Sequence, residues 1–280
     1  MGSKAEDKDF VGRFREIVSD PLNLAIRRDP RAGFVEGQHV FLHNGLRVSA
    51  SGPLACYGDF SLILAINRGV HEPLEEFVFQ EVLARLPSSP TMLELGAYWG
   101  HYSMWLKSAR PEGSVHLVEA DPNGLAVGQH NFALNGLSGE FTCAFVGKGK
   151  FQVDDYLREK NIQHLDILHS DIQGYEVEML PGCAKTLAEH RADFLFISTH
   201  SQEIHQIVRN ALGSFKYRVE ISSNVDDETT SFDGFIFASS PKRPPVFPDF
   251  SPMGRTQIEN ATPQELIAYA TRLGRHLESK

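Results

Sequence analysis

The chain has 280 residues, 41% of them hydrophobic and 22% charged, as expected for a soluble globular protein with one sizeable core plus additions. Its formal net charge of −9 disfavours nucleic acid as substrate, because a phosphate backbone demands a basic surface. No apolar run reaches the roughly 18 residues of a membrane span. Cys56, Cys143 and Cys183 are odd in number and widely spaced, which argues against a disulfide framework or a zinc knuckle and favours reduced cysteines and a cytoplasmic location.

In chain order, Phe10, Phe14 and Ile17 fall at helical spacing and predict a short helix over 9–18. Val40–His43, then Asn44-Gly45, then Leu46–Val48 predict a β-hairpin with a type I′ turn. Residues 1–70 precede everything else that is patterned, and form an N-terminal addition expected to cover the site or make a dimer contact. Pro73 suits the first turn of a helix running to about Leu86, with Leu74, Phe77, Val78 and Val82 facing the sheet.

From there to residue 240 strand and helix patterns alternate. Strands are expected near 92–95, 115–119, 141–145, 165–169, 194–199, 216–221 and 234–238. Helices are expected near 100–109, 122–134, 153–160, 175–189 and 201–212. Asp121-Pro122 supplies an N-cap and first helical residue, and Asn135-Gly136 a stop. Such alternation implies parallel strands joined by right-handed crossovers. Residues 241–252 hold five prolines and read as a linker. Thr262-Pro-Gln-Glu265 is a capping box, opening a helix from 263 to about 278 with a stripe of Leu266, Ile267, Ala270 and Leu273. The division is therefore 1–70, 71–240 and 241–280.

Met92-Leu-Glu-Leu-Gly-Ala-Tyr-Trp-Gly100 followed by Val115-His-Leu-Val-Glu-Ala-Asp-Pro122 lays out strand, glycine turn, helix, strand and acid, as in a nucleoside-binding βαβ unit. The turn offers Gly96 and Gly100 and lacks the full G-x-G-x-x-G of dinucleotide sites. Glu94, two residues before Gly96, would repel a pyrophosphate and attract an ammonium group. S-adenosylmethionine carries an ammonium, a sulfonium and a ribose but no phosphate. Glu119, nineteen residues after Gly100, is placed to accept hydrogen bonds from both ribose hydroxyls. No nearby Arg suits a 2′-phosphate.

These residues resemble the class I S-adenosylmethionine-dependent methyltransferases, and within them the FkbM family. The acid-x-Gly-Ala-x-x-Gly motif is matched by Glu94, Gly96, Ala97 and Gly100. A second signature appears as Val153-Asp-Asp-Tyr-Leu157 and Asp166-Ile-Leu-His-Ser-Asp-Ile-Gln-Gly-Tyr-Glu176, and a third as Phe194–His200 with Asp233–Ala238. The resemblance covers roughly residues 75–240 and departs from the family at His169, where a Lys is usual, and at Gln173, where a Glu is usual. It implies an α/β fold with a Rossmann-like, seven-stranded, mostly parallel sheet, helices on both faces and an antiparallel last strand. The N-terminal helix and hairpin and the C-terminal helix are additions to that fold. It also implies O-methylation of a sugar, glycan or natural-product hydroxyl.

Ligands bind outside the carboxyl ends of the strands in an open α/β sheet. That rule gathers Glu94, Gly96, Ala97, Tyr98, Gly100 and Tyr102 with Glu119, Ala120, Ala144 and Asp171 as the cofactor set, and His200 with Asp171 as the catalytic pair. A histidine titrating near neutrality makes His200 the first candidate for the general base. Asp171 would hold the methionine ammonium, act as base or ligate a metal; otherwise it caps the Gln173–Gly174 turn. His169, with no partner visible in the sequence, reads as a core histidine. No metal ligand is assigned; the alternative is a divalent ion on Asp171 and a second acid. The partner is a small-molecule or glycan acceptor, with a homo-oligomer as a further option. The rivals are N-methylation of an amine, a non-catalytic cofactor-binding module, and a dinucleotide oxidoreductase, against which Glu94 stands.

Overall fold

Near-continuous apolar runs on the strands dictate a sheet covered on both sides, and the computed structural model, which describes residues 10–56 and 61–278, has that architecture. Helix α1 spans Phe10–Ser19 and is followed by a 3-10 turn at Pro21–Leu24. Ile17 is buried and Phe14 packs on the core; the side chain of Phe10 lies outside the described residues. Strands β1 (Val35–Glu36), β2 (His39–Phe41) and β3 (Arg47–Ser49) form a small antiparallel sheet. The expected hairpin forms, but it sets Val40 opposite Val48, where a two-residue Asn44-Gly45 loop would set Phe41, so its turn is not type I′. Gly45 N–H donates to the Leu42 carbonyl at 3.0 Å, and of the Asn-Gly pair only Gly45 takes a positive φ, 83°. One left-handed residue after the turn is the bulged hairpin pattern. β1 gave no alternating signal, being two exposed residues long.

Helices α2 (Leu62–Ile66) and α3 (Pro73–Leu83) lead into the main sheet. α3 ends three residues before Leu86 and is buried all round: Phe77, Val78, Phe79 and Val82 are buried, and so are Glu75, Glu76, Gln80 and Glu81. Then follow β4 (Thr91–Leu95), α4 (His101–Ala109), β5 (Ser114–Glu119), α5 (Pro122–Leu134), β6 (Glu140–Cys143), α6 (Val153–Glu159) and β7 (Leu165–Ser170). The helix expected over 175–189 is three pieces: α7 (Glu176–Met179), a 3-10 turn at Leu180–Cys183 and α8 (Ala184–Ala188). Pro181 lacks the N–H that a continuous helix needs. The chain continues through β8 (Ala192–Thr199), α9 (Gln202–Ser214), β9 (Arg218–Ser223), β10 (Gly234–Ser239), α10 (Arg255–Asn260) and α11 (Pro263–Glu278).

The main sheet has seven strands in the order β6-β5-β4-β7-β8-β10-β9. All neighbours are parallel except β10, antiparallel to both β8 and β9. On β8, Phe194 and Phe196 enter one core with α3, α4 and α5, while Leu195 and Ile197 enter the other with α6 to α9, the two-residue period of a strand buried on both faces. The N-terminal addition shares the first core: Val40, Leu42, Val48 and Ile63 join Phe77 and Trp105. Arg47 and Asn135 exchange two hydrogen bonds between hairpin and α5.

The proline-rich segment is packed rather than loose, with Val246 and Phe247 buried and Phe247 near Phe77 and Phe237. Thr262 and Glu265 form the capping box of α11. On that helix Leu273 is buried and Leu266 and Ala270 are half-buried as expected, but Ile267 is 66% exposed and Tyr269 is buried in its place. No helix among the described residues is long and apolar enough to cross a membrane.

Candidate active site

The carboxyl ends of β4, β5 and β7 are tied together by backbone bonds. Gly96 and Ala97 N–H groups both donate to the Val118 carbonyl, at 2.8 and 3.0 Å, and Asp171 N–H donates to Leu95 at 2.9 Å. Gly96 has φ 71°, and a β-carbon there would lie 1.6 Å from the Asp171 carbonyl oxygen. Only glycine meets both demands. Gly100, φ 74°, precedes α4 and backs onto Phe132 and Leu117; it shapes the turn and is not among the cavity-lining residues.

Glu119 accepts one hydrogen bond on each oxygen, from Tyr98 N–H at 2.9 Å and Asp121 N–H at 2.8 Å. The carboxylate is thereby oriented while keeping lone pairs for a diol. Tyr98 turns with φ 42°, and its hydroxyl donates to the Cys56 carbonyl of the N-terminal addition.

These residues line a cavity of about 420 Å3. Of the expected set, Glu94, Gly96, Ala97, Tyr98, Tyr102, Glu119 and Asp171 face it; His71, Glu72, Trp99, His101, Asp121, His169 and Asp233 are among the others. A recess of about 140 Å3 shares Gly96, Glu119 and Asp171 and adds Ala120, Ala144, Phe145 and Tyr175. An oriented carboxylate between a polar cavity and a smaller, more apolar recess has the shape and polarity to take a nucleoside bearing a charged arm.

The cavity wall is a network of buried acids and histidines. Glu94 accepts from Ser103 N–H at 3.1 Å, and burial raises its pKa. His169 does have a partner: Nε2 lies 2.6 Å from Glu75 Oε1. Burial opposes charge on the ring, but the carboxylate prevails and lifts its pKa to about 9. Burial also raises Glu75, whose other oxygen accepts from Ser198 Oγ at 3.2 Å. Tyr102 donates to Glu72 at 2.9 Å and lies over the His169 ring.

His200 sits beside the cavity and touches two of its lining acids. Nδ1 is 2.9 Å from Glu176 Oε1, and Nε2 is 3.2 Å from Asp171 and 3.4 Å from Asp233. Burial works against protonation, yet Asp171, Glu176 and Asp233 raise the pKa to about 10. The expectation of a ring titrating near neutrality is therefore corrected: it ignored three acids that only the fold brings together. Burial raises the pKa of Asp171, but His200, His169 and Gln173 together outweigh it and lower it. Asp171, His200 and Asp233 also place donor atoms within 4.8 Å of one another, which makes Asp233 the second acid that the metal alternative requires. Asp171 accepts from the Gln173 side chain at 3.2 Å.

The residues that sequence reasoning missed are chiefly His71, Glu72, Glu75 and His101. The sequence reading named the apolar face of α3 and gave its acids no role. The available signal was Phe77-Val-Phe79, three consecutive apolar residues on a helix, which marks burial all round and obliges neighbouring acids to find partners.

Sheet order and helical cover define a Rossmann-like α/β architecture. Residues 148–219, about a quarter of the chain and including the Asp166–Glu176 segment, match the family model described as Methyltransferase FkbM domain. Among solved structures the chain is similar to methyltransferase FkbM from Methylobacillus flagellatus KT, at 18% identity and TM-score 0.47, covering 67% of this chain and 56% of that one. It is also similar to M. capricolum TrmK in complex with S-adenosyl-homocysteine, at 11% identity and TM-score 0.44, covering 72% and 97%. A third is precorrin-6y C5,15-methyltransferase from Geobacter metallireducens GS-15, at 16% identity and TM-score 0.43, covering 58% and 87%. Among curated proteins none matches this chain.

Proposed function

We propose that the protein methylates a hydroxyl of an uncharged small molecule, a sugar, glycan or natural product. The observation that carries this is the sign of the cavity. Glu72, Glu94, Glu119, Asp121, Asp171 and Asp233 line it and outnumber the cationic His71 and His169, and no Lys or Arg is among the described lining residues. Such a wall favours a cationic methyl donor and disfavours a phosphorylated or carboxylated acceptor.

S-adenosylmethionine, when bound, supplies a methyl group on a sulfonium leaving group. Glu119 would hold the ribose hydroxyls, the Gly96–Tyr98 turn the backbone approach, and Ala120, Ala144 and Tyr175 the base. Glu94 or Asp171 would face the ammonium. The His200–Asp171 pair would take the acceptor proton, Asp171 orienting the hydroxyl and His200 in its neutral form receiving the charge. Positioning an oxygen in line with the carbon–sulfur bond supplies much of the rate, and a base adds about 10²–10⁴-fold.

The same acidic wall favours an amine acceptor as the second reading, since an ammonium would be drawn to it. A screen of neutral polyols, amines and carboxylated or phosphorylated acceptors with isotopically labelled methyl donor separates the two. Labelled ether products support the proposal, methylamine products replace it by the second reading, and label transfer only to acidic acceptors overturns both.

A further inference from the structure

The geometry points to a buried divalent transition-metal site formed by His43, Glu76 and His101, separate from the proposed transfer chemistry. The three residues come from the hairpin turn, α3 and the first turn of α4. They are 1%, 0% and 2% exposed, and their donor atoms lie within 4.8 Å of one another.

Two features distinguish this cluster from an ordinary ion pair. First, among the described residues neither ring nitrogen of His101 has a hydrogen-bond partner, and both are buried. A buried imidazole with nothing to bond is a poor core residue and a good ligand. Second, His43 Nε2 lies 2.9 Å from Glu76 Oε2, and among the described residues neither atom meets hydrogen-bond geometry, an arrangement that an ion between them would satisfy. Glu76 Oε1 lies 3.9 Å from His101 Nε2. A tetrahedral ion with bonds of about 2.0–2.1 Å holds its ligand atoms about 3.3 Å apart, between these two spacings.

The surroundings are those of a metal site. Glu76 Oε1 is fixed by the His71 and Glu72 N–H groups at 2.8 and 3.1 Å, so Oε2 is left to face the cluster, as outer-shell bonds orient a ligating carboxylate. Trp99 stacks on the His101 ring at 4.7 Å, and Trp105 lies against His43 at 4.3 Å, giving an aromatic shell. His71 and His101 line the cavity, which supplies an entry path. Two imidazoles and one carboxylate suit Zn2+, Fe2+ or Co2+ rather than Mg2+ or Ca2+. An ion here would tie the N-terminal hairpin to the helix that opens after the Gly96–Gly100 turn.

The test uses the full chain, purified without metal-affinity steps, with metal content by elemental mass spectrometry and titration of the chelator-treated protein with Zn2+ and Co2+. The expected result is one equivalent bound, Co2+ ligand-field absorption, and an affinity at least about 100-fold weaker in His101→Phe, more than loss of an outer-shell partner brings. His43→Gln, on a different element, should lose binding likewise, so a folding failure of either variant leaves the other to decide. Asp171→Asn should bind as the parent does. Failure of the folded wild type to take up either ion overturns the site, as does undiminished binding by the His variants or its loss in Asp171→Asn. Methyl-donor binding, followed separately, reports on the transfer reading alone.

Discussion

Gly96 and Asp171 meet backbone to backbone where β4 and β7 end: a β-carbon on the first would sit 1.6 Å from the carbonyl oxygen of the second. Gly96→Ala must therefore displace the loop that carries Asp171, and it also forces alanine to φ 71°. Left-handed strain and overpacking each cost about 1–3 kcal/mol. Urea denaturation should show a loss of at least about 2 kcal/mol, with S-adenosylmethionine binding abolished in calorimetry. Wild-type stability and affinity would refute the close approach.

Glu119→Ala should weaken S-adenosylmethionine and S-adenosylhomocysteine together. Losing two hydrogen bonds to a charged acceptor, at about 1.5–3 kcal/mol each, gives a decrease of roughly 100-fold or more. Calorimetric titration measures it, with NAD as a control expected not to bind. Unchanged affinity would assign the carboxylate to loop structure alone, through Tyr98 and Asp121.

Glu75→Gln removes the acid that keeps His169 protonated in the core. The ring is then expected to give up its proton, and its pKa, followed by NMR, to drop from about 9 to below the ordinary 6.5. Breaking a buried pair costs about 3–5 kcal/mol, which denaturation would register. A His169 pKa still near 9 would show that Glu94 and Asp171 hold the proton instead.

Stability should fall as the solution becomes alkaline. His71, His169 and His200 have folded pKa values raised to about 10, 9 and 10 from 6.5. Groups raised in the fold stabilise fully below the unfolded pKa, and the contribution disappears as pH climbs through the folded value. The window is therefore about pH 6.5 to 10. Melting temperature should drop by about 5 °C or more across it, and a level profile would contradict the three raised values.

If His200 is the terminal proton acceptor, only its neutral form works. kcat/KM should then rise about tenfold per pH unit between roughly 7 and 9, because it reports the free enzyme. The kcat profile should lie at lower pH, since a bound sulfonium opposes the imidazolium. His200→Gln should cut kcat by about 10²–10⁴-fold with cofactor affinity within a few fold. A flat profile would remove His200 from the proton transfer.

Much of the fold was legible because periodicity is a local property. Met92–Leu95, Val115–Glu119 and Phe194–Thr199 announce strands by their apolar runs, and Asp121-Pro122 and Thr262–Glu265 announce helices by their caps. The failures have physical causes. Asn44-Gly45 permits a type I′ turn, but the hairpin must also seat His43 in the core, and a bulged turn does so. The helix over 175–189 breaks at a proline whose pattern looked continuous. Ile267 and Tyr269 exchanged places because the face of α11 that is buried is set by the N-terminal 3-10 turn beneath it, which no spacing within α11 reveals.

The same division holds at the site. The sequence by itself determined the glycine turn, the acid at Glu119 and the strand ends carrying Asp171 and His200, because each depends on residues within a few positions of one another. The tertiary structure alone decided which charges meet. Glu75 reaches His169 across 94 residues, and His200 is ringed by Asp171, Glu176 and Asp233 from separate segments. Burial and Coulomb interaction depend on distance in space rather than along the chain, so protonation states at this site became visible only once the sheet had assembled.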